Sequence, residues 1–331
     1  MANWEGNKDA ALTIAWGVYR TWAKTSRAAA DRLRRSRRYI LALSIAGALL
    51  STAAQFVEPT PKATDWISMV HRGLGSLGAL AIALAAYLTR ELLSEEAQRK
   101  WLRSRSVAEG AKSESYLFRL RCLPYQGDDA IQKLVENVKS HEKLASGITH
   151  DVMTNVELVE KLPTGELAVE GYLKDRVQDQ ITFYNKRISE YLGYVAASRK
   201  ITIVLGAAAV VLSVIALKDK GAQLVPLFAT LTVVLGSAMS AGQYGYLITS
   251  YQATADQLAE LNQEWSLSPN PQNADVITKL ATACESAICS ENSAWMAKLS
   301  EKIQQQQRAP ASAPDNITDG VSGGVSPLNG G

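Results

Sequence analysis

Histidine and cysteine are scarce in this chain of 331 residues, with three of each. Cys122, Cys284 and Cys289 form no CxxC pair, and no histidine stands at metal-ligand spacing. Neither a disulfide framework nor a zinc site is indicated, and three free thiols in a reducing compartment are expected. His141 and His150 read as solvated helix or loop positions. The chain has no Gly-rich phosphate loop, no nucleophile elbow and no cluster of histidine with carboxylates. No catalytic residue, metal or cofactor can be assigned, which argues against an enzyme. A strong charge imbalance is also missing: the net charge is +3, so no global basic field marks a nucleic-acid binder.

Charge is absent above all from four blocks. The mean hydropathy of −0.06 hides them, because the sequence between is richly charged. A membrane span needs about 20 mostly apolar residues, and the blocks 39–57, 66–88, 201–217 and 224–247 meet that length. The second does so only with His71 and Arg72 near one interface. Pro226 falls near the start of the fourth, where its missing N–H costs little. The short polar links EPTPKATD and KDKGAQ join the members of each pair. The expected fold is therefore an all-α membrane protein, with four transmembrane helices arranged as two helical hairpins.

Lysine and arginine set the orientation. Arg20, Lys24, Arg27, Arg32, Arg34, Arg35, Arg37 and Arg38 precede the first span, against Lys62 alone in the link that follows. Arg90, Arg99, Lys100, Arg103 and Arg105 follow the second span. Both termini and the long middle region are expected on the cytoplasmic side. SRRYIL resembles a twin-arginine export signal, but about 35 residues precede it, whereas such signals stand at the extreme N-terminus.

Long amphipathic helices flank both hairpins. In 172–200, Val177, Ile181, Tyr184, Ile188, Tyr191 and Val195 step by 4, 3, 4, 3, 4, the heptad spacing of a coiled-coil seam. Lys174, Asp175, Arg176 and Asp179 fall on the other faces. The helix is expected to run unbroken into the third span as a rod of about 45 residues and about 70 Å. Residues 14–38, with Trp16, Tyr19, Trp22 and Leu33, read as a looser helix of the same kind. The chain thus looks like a duplicated unit: 1–160, then 161–305, with a turn at Pro163 and Gly165. The tail 306–331 is rich in Pro, Gly, Ser and Asn and is expected to be disordered.

The segment LPTGELAVEGYLKDRVQDQITFYNKR, the basic lead-in ASRKITIVLG and the ending AICSENSAW resemble the SLATT family, two-span effector domains found beside SMODS nucleotidyltransferases and SLOG nucleotide-sensing proteins. YRTWAKTSRAAADRLRRSRRYI and RSRSVAEGAKSESYLFRL resemble another subgroup of it. The resemblance implies a non-enzymatic effector of a prokaryotic conflict or antiphage system. It would lie in the bacterial inner membrane and assemble as a homo-oligomer into a pore when a separately encoded sensor or nucleotide-signalling protein is triggered. The sequence alternative is a constitutive ion channel or transporter subunit.

Small residues let helices approach in lipid, and Gly75, Ala79 and Ala83, Gly236 and Ser240, and Gly47 and Ser51 stand four apart. They serve close packing, or else Ser237, Ser240, Gln243 and Tyr244 line a water path. His71 and Arg72 either snorkel to the outer interface or ring a pore mouth, with Trp66 as an interfacial anchor. The heptad residues pack within their own chain or form an oligomer seam. Arg34, Arg35, Arg37, Arg38, Arg199 and Lys200 fix topology and grip lipid headgroups. No aromatic positions are interleaved among them, which argues against direct nucleic-acid binding.

Overall fold

A computed structural model describes residues 2–57, 65–151, 153, 162, 165–215 and 224–290. The expected hairpin tips, Pro163, the Glu291 to Trp295 ending and the tail lie outside the described residues. Every regular element among those described is helical, and four helices are long and apolar enough to cross a membrane.

Helix α1 runs unbroken from Ala2 to Phe56, about 80 Å at 1.5 Å per residue. It contains no proline, and Pro59 and Pro61 follow its end, where a ladder cannot continue. Helix α2 spans Asp65–Leu92. Ser94 then caps α3 (Glu95–Arg119), its hydroxyl accepting from the Ala97 amide at 3.4 Å, and Glu95 and Glu96 complement the helix dipole. Helix α4 covers Ala130–Lys143.

The second unit repeats this order. Its rod α5 starts as Val169–Tyr172, widens into a π-helical stretch at Leu173–Gln178, and continues as Asp179–Ile215. Helix α6 (Val225–Gly242) and helix α7 (Tyr244–Ser266) follow. Helix α8 occupies 274–290, where the Asn273 side chain accepts from the Asp275 amide at 2.8 Å.

The first hairpin closes on glycine. A Cβ on Gly78 would lie 2.8 Å from the Ser51 amide and 3.0 Å from the Gly47 carbonyl oxygen. The sequence places small residues on the correct helices, but the tightest approach is at Gly78, while Gly75 has only the Ala54 Cβ at 3.9 Å. Helix α1 lies between α2 and α6, and α6 lies between α1 and α5, so the spans form a row. No residue in the most apolar stretch of the third span is buried within the chain.

Outside the spans, α3 carries two apolar faces. Val107, Ala108, Ala111 and Phe118 belong to clusters with Ala11, Leu12, Ala15 and Trp22 of α1 and Leu134 and Val138 of α4. Leu102 and Tyr116 join Tyr172, Val177, Tyr184, Leu258, Ala281 and Ile288 of the second unit. A fully buried Leu or Ile contributes about 1.5–3 kcal/mol, so the shared cluster makes one body of the two units.

Candidate functional site

The heart of this body is a charged group. Arg176 is fully buried on the π-helical stretch, a geometry that widens one helical turn and is frequent at functional sites. Its Nε and Nη2 donate to Glu285 at 3.0 and 2.8 Å, and Nη1 and Nη2 donate to Glu109 at 3.3 and 3.4 Å. Tyr172 donates to Glu285 at 3.1 Å, and the guanidinium stands 5.5 Å from the Tyr116 ring centre. Three helices from both units thus converge on one arginine.

Burial alone would disfavour the charged guanidinium, but Glu285 and then Glu109 outweigh that and hold it protonated. Burial likewise pushes the Glu109 carboxyl up, whereas Arg176, Lys112 and Arg105 bring it below its ordinary value. Burial first, then Glu285, pushes the Cys284 thiol up to about 12, so it is an inert core residue. The sequence reading placed Arg176 on a face away from the heptad stripe. That assignment is corrected: Arg176 shares the inward stripe of Val169, Tyr172 and Leu173 at steps of three and four, a signal present in the sequence but masked by Lys174 and Asp175.

A second polar group ties α3 to α4. Glu114 accepts from Tyr125, from Asn137 at 3.4 Å, and pairs with His141 Nε2 at 3.3 Å. The His141 ring lies so close to Gly110 that a Cβ there would sit 2.6 Å from Nδ1. His141 is therefore not the solvated position expected from sequence, because Glu114 lies one helix away. His150 is exposed and meets Trp22 edge-on at 5.4 Å.

The heptad stripe packs against its own chain. Val177, Tyr184 and Ile188 are buried, Ile181 and Tyr191 pack against the same cluster, and Val195 is half-buried. Tyrosines from α5 and α7 continue it toward the spans: Tyr184 and Tyr251 are 5.2 Å apart, Tyr191 and Tyr251 6.0 Å, Tyr191 and Tyr244 5.3 Å, and Tyr194 and Tyr244 5.7 Å between ring centres.

Helix α6 ends at Gly242 and α7 takes over at Tyr244. Gln243 adopts φ +50°, and the Tyr244 ring folds over Gly242, where it would meet a Cβ. Of the expected water-path residues, Ser237 and Ser240 are exposed on α6, whereas Gln243 and Tyr244 form this joint and are half-buried. His71 Nδ1 donates to the Ala54 carbonyl at 2.7 Å, fastening α2 to the end of α1, and Arg72 Nε donates to Ser68 within its own helix at 3.2 Å. Trp66 is exposed.

Arg34 pairs with Asp31 at 3.1 Å, and Arg35 donates to the Asp31 carbonyl at 3.4 Å. Arg38, Arg199 and Lys200 are exposed. Arg37 is half-buried, with its Nε enclosed, and burial brings its guanidinium below the ordinary value against the pull of Tyr244 and Tyr191.

Helices of this length and apolarity, joined in antiparallel pairs, define a multi-pass membrane protein. Residues 172–295, most of the second unit, match the model of SLATT_1, the SMODS and SLOG-associating 2TM effector domain 1. Residues 20–133 match DUF4231, a family of unknown function. No curated protein and no solved structure matches the chain.

Proposed function

We propose that this chain is a non-enzymatic membrane effector of a prokaryotic conflict or antiphage system, with its first unit acting as a second copy of the SLATT unit. Several copies assemble in the inner membrane, termini on the cytoplasmic side, and open a pore when a separately encoded sensor is triggered. The observation that carries this reading is the open row of spans. Four helices side by side enclose no path of their own, so a conducting assembly needs further copies, and the unburied third span leaves a surface for them. The rods α1 and α5 join the bundle to the bilayer without a break, which suits a signal received outside the membrane.

Expression of the chain with its genomic neighbours, with membrane potential followed during phage challenge, tests the proposal. Depolarisation on infection is expected; protection with an unchanged potential sinks it. The interruption of the fourth helix at Gln243 favours one second reading, a constitutive channel or transporter subunit, because broken spanning helices are a transporter device. Steady conductance in liposomes without any trigger would select that reading.

A further inference from the structure

A cavity of about 190 Å³ opens where the first hairpin leaves the bilayer. Its walls come from α1, the last turn of α2, the start of α3 and the segment that ends at Asp151. Two hydrogen bonds hold that segment in place: the Asp151 amide donates to the Thr25 hydroxyl at 2.8 Å, and Lys100 Nζ donates to Thr149 Oγ1 at 3.2 Å. Ala28, Ala29 and Ala97 leave the space open, because none reaches beyond a methyl group.

The spans fix the level of the cavity. Along α1, Ser36 and Arg32 stand about 5 and 10 Å before the apolar run that begins at Tyr39, and along α2 Glu91 stands about 5 Å past Leu88, at 1.5 Å per residue. The headgroup layer on each side of a bilayer is about 5–8 Å deep. The mouth of the cavity therefore lies among lipid headgroups, and its floor at Thr25 lies in the bundle outside the membrane.

Four charged side chains line it, Arg32 and Lys100 against Glu91 and Asp151. Their charges balance, yet none of the four forms an ion pair with another described residue. Opposite charges set round one space without closing on each other suit a ligand that brings both signs. Leu33 and Leu92 add an apolar side, against which hydrocarbon can be buried. A cavity of about 150 Å³ accepts a benzene ring, so this one admits a group the size of phosphoethanolamine.

We propose that the cavity binds the headgroup of one phosphatidylethanolamine molecule, with Arg32 and Lys100 toward its phosphate, Glu91 and Asp151 toward its ammonium, and Leu33 and Leu92 against the start of its acyl chains. A guanidinium offers paired donors to phosphate oxygens, and a primary ammonium offers three N–H donors to carboxylates. The trimethylated headgroup of phosphatidylcholine has no such donor, and phosphatidylglycerol has no cation. A bound headgroup bridges α1, α2 and α3 where the hairpin meets the helices outside the membrane. The site stands on the spanning helices and not on the pore reading.

Native mass spectrometry of the full chain tests it. The protein is stripped of lipid in detergent and given equal amounts of phosphatidylethanolamine, phosphatidylcholine and phosphatidylglycerol with the same acyl chains. One phosphatidylethanolamine is expected to stay bound in preference to both others. Arg32→Gln and Glu91→Gln, at exposed positions that leave the fold intact, are each expected to weaken its retention about tenfold, as the loss of one charge-assisted hydrogen bond does. Ala29→Leu keeps all four charges but fills the space and should abolish retention. Arg99→Gln, on α3 outside the cavity, is the control and should change nothing; an equal fall there would mark general charge attraction and overturn the site. Glycerophosphoethanolamine, the headgroup without acyl chains, should displace the lipid only in large excess. Displacement at equal concentration would assign the cavity to a soluble ligand and overturn the lipid. Equal retention of phosphatidylglycerol, or retention unchanged in Glu91→Gln, overturns the zwitterionic headgroup. Failure of the membrane-potential test above removes the pore reading and leaves this binding result standing.

Discussion

Arg176 and Glu285, 109 residues apart in sequence, meet in a bidentate pair whose arginine is wholly buried and whose carboxylate is nearly so. Such a pair is costly to break and cheap to replace as a whole, because the penalty arises when one charge is left alone in the interior. Arg176→Met is expected to lower stability by about 3–5 kcal/mol. Lysine at 176 should not rescue it, since an ammonium cannot make the two parallel hydrogen bonds. Arg176→Met combined with Glu285→Leu should recover part of the loss, leaving Glu109 without its partner and the Tyr172 hydroxyl without its Glu285 acceptor. Thermal unfolding in lipid nanodiscs reads this out, and a double variant weaker than the single would contradict the pairing.

In the first hairpin the closest backbone approach is at Gly78. Gly78→Ala brings a methyl group against the Ser51 amide and the Gly47 carbonyl, both backbone and unable to swing away. A loss of about 1–3 kcal/mol is expected, as for other overpacked sites. Gly206→Ala in the third span, where nothing lies within 4 Å, is the matched control and should be neutral. Equal effects at both positions would deny the close approach.

Comparison of these two sites shows what the sequence carries. Charge-free runs reveal the spans, and heptad spacing reveals α5, because both depend on residues close in the chain. The direction of Arg176 depends on Glu109 and Glu285, 67 and 109 residues away, and on a π-helical stretch that no local pattern marks. Gly78 rather than Gly75 is the contact point because the faces of α1 and α2 are set by how the two helices cross. The break at Gln243 lies in an uninterrupted uncharged run, and hydropathy is blind to backbone handedness.

Acid should loosen α3 from α4. Burial pushes the Glu114 carboxyl up, but hydrogen bonding from His141, Tyr125 and Asn137 outweighs it and holds the group below its ordinary value of 4.5. A carboxyl depressed on folding contributes stability above its unfolded pKa and loses it as pH falls through the folded one. The contribution is therefore intact at neutral pH and disappears only below about pH 4.5. Hydrogen exchange of the α4 amides is expected to accelerate in that window. Glu114→Gln should be faster at neutral pH and lose the acid step; retention of the full step would assign it elsewhere.

The arginine cluster before the first span divides by burial. Arg34, Arg35 and Arg38 lie at the surface, where positive charge keeps a segment on the cytoplasmic side and attracts anionic headgroups. Arg37 is half-buried with its Nε enclosed, and its loss removes only one of several charges. Arg34→Gln, Arg35→Gln and Arg38→Gln together are expected to blur the topology while the soluble helices still fold. Arg37→Gln alone should leave topology intact and loosen the contact between α1 and the second hairpin. Accessibility of a cysteine placed near residue 8, probed with an impermeant thiol reagent on sealed vesicles, reports topology, and protection of Tyr244 from surface labelling reports the contact. If Arg37→Gln inverts the protein while the triple variant does not, the half-buried arginine carries the topological signal and the division by burial is wrong.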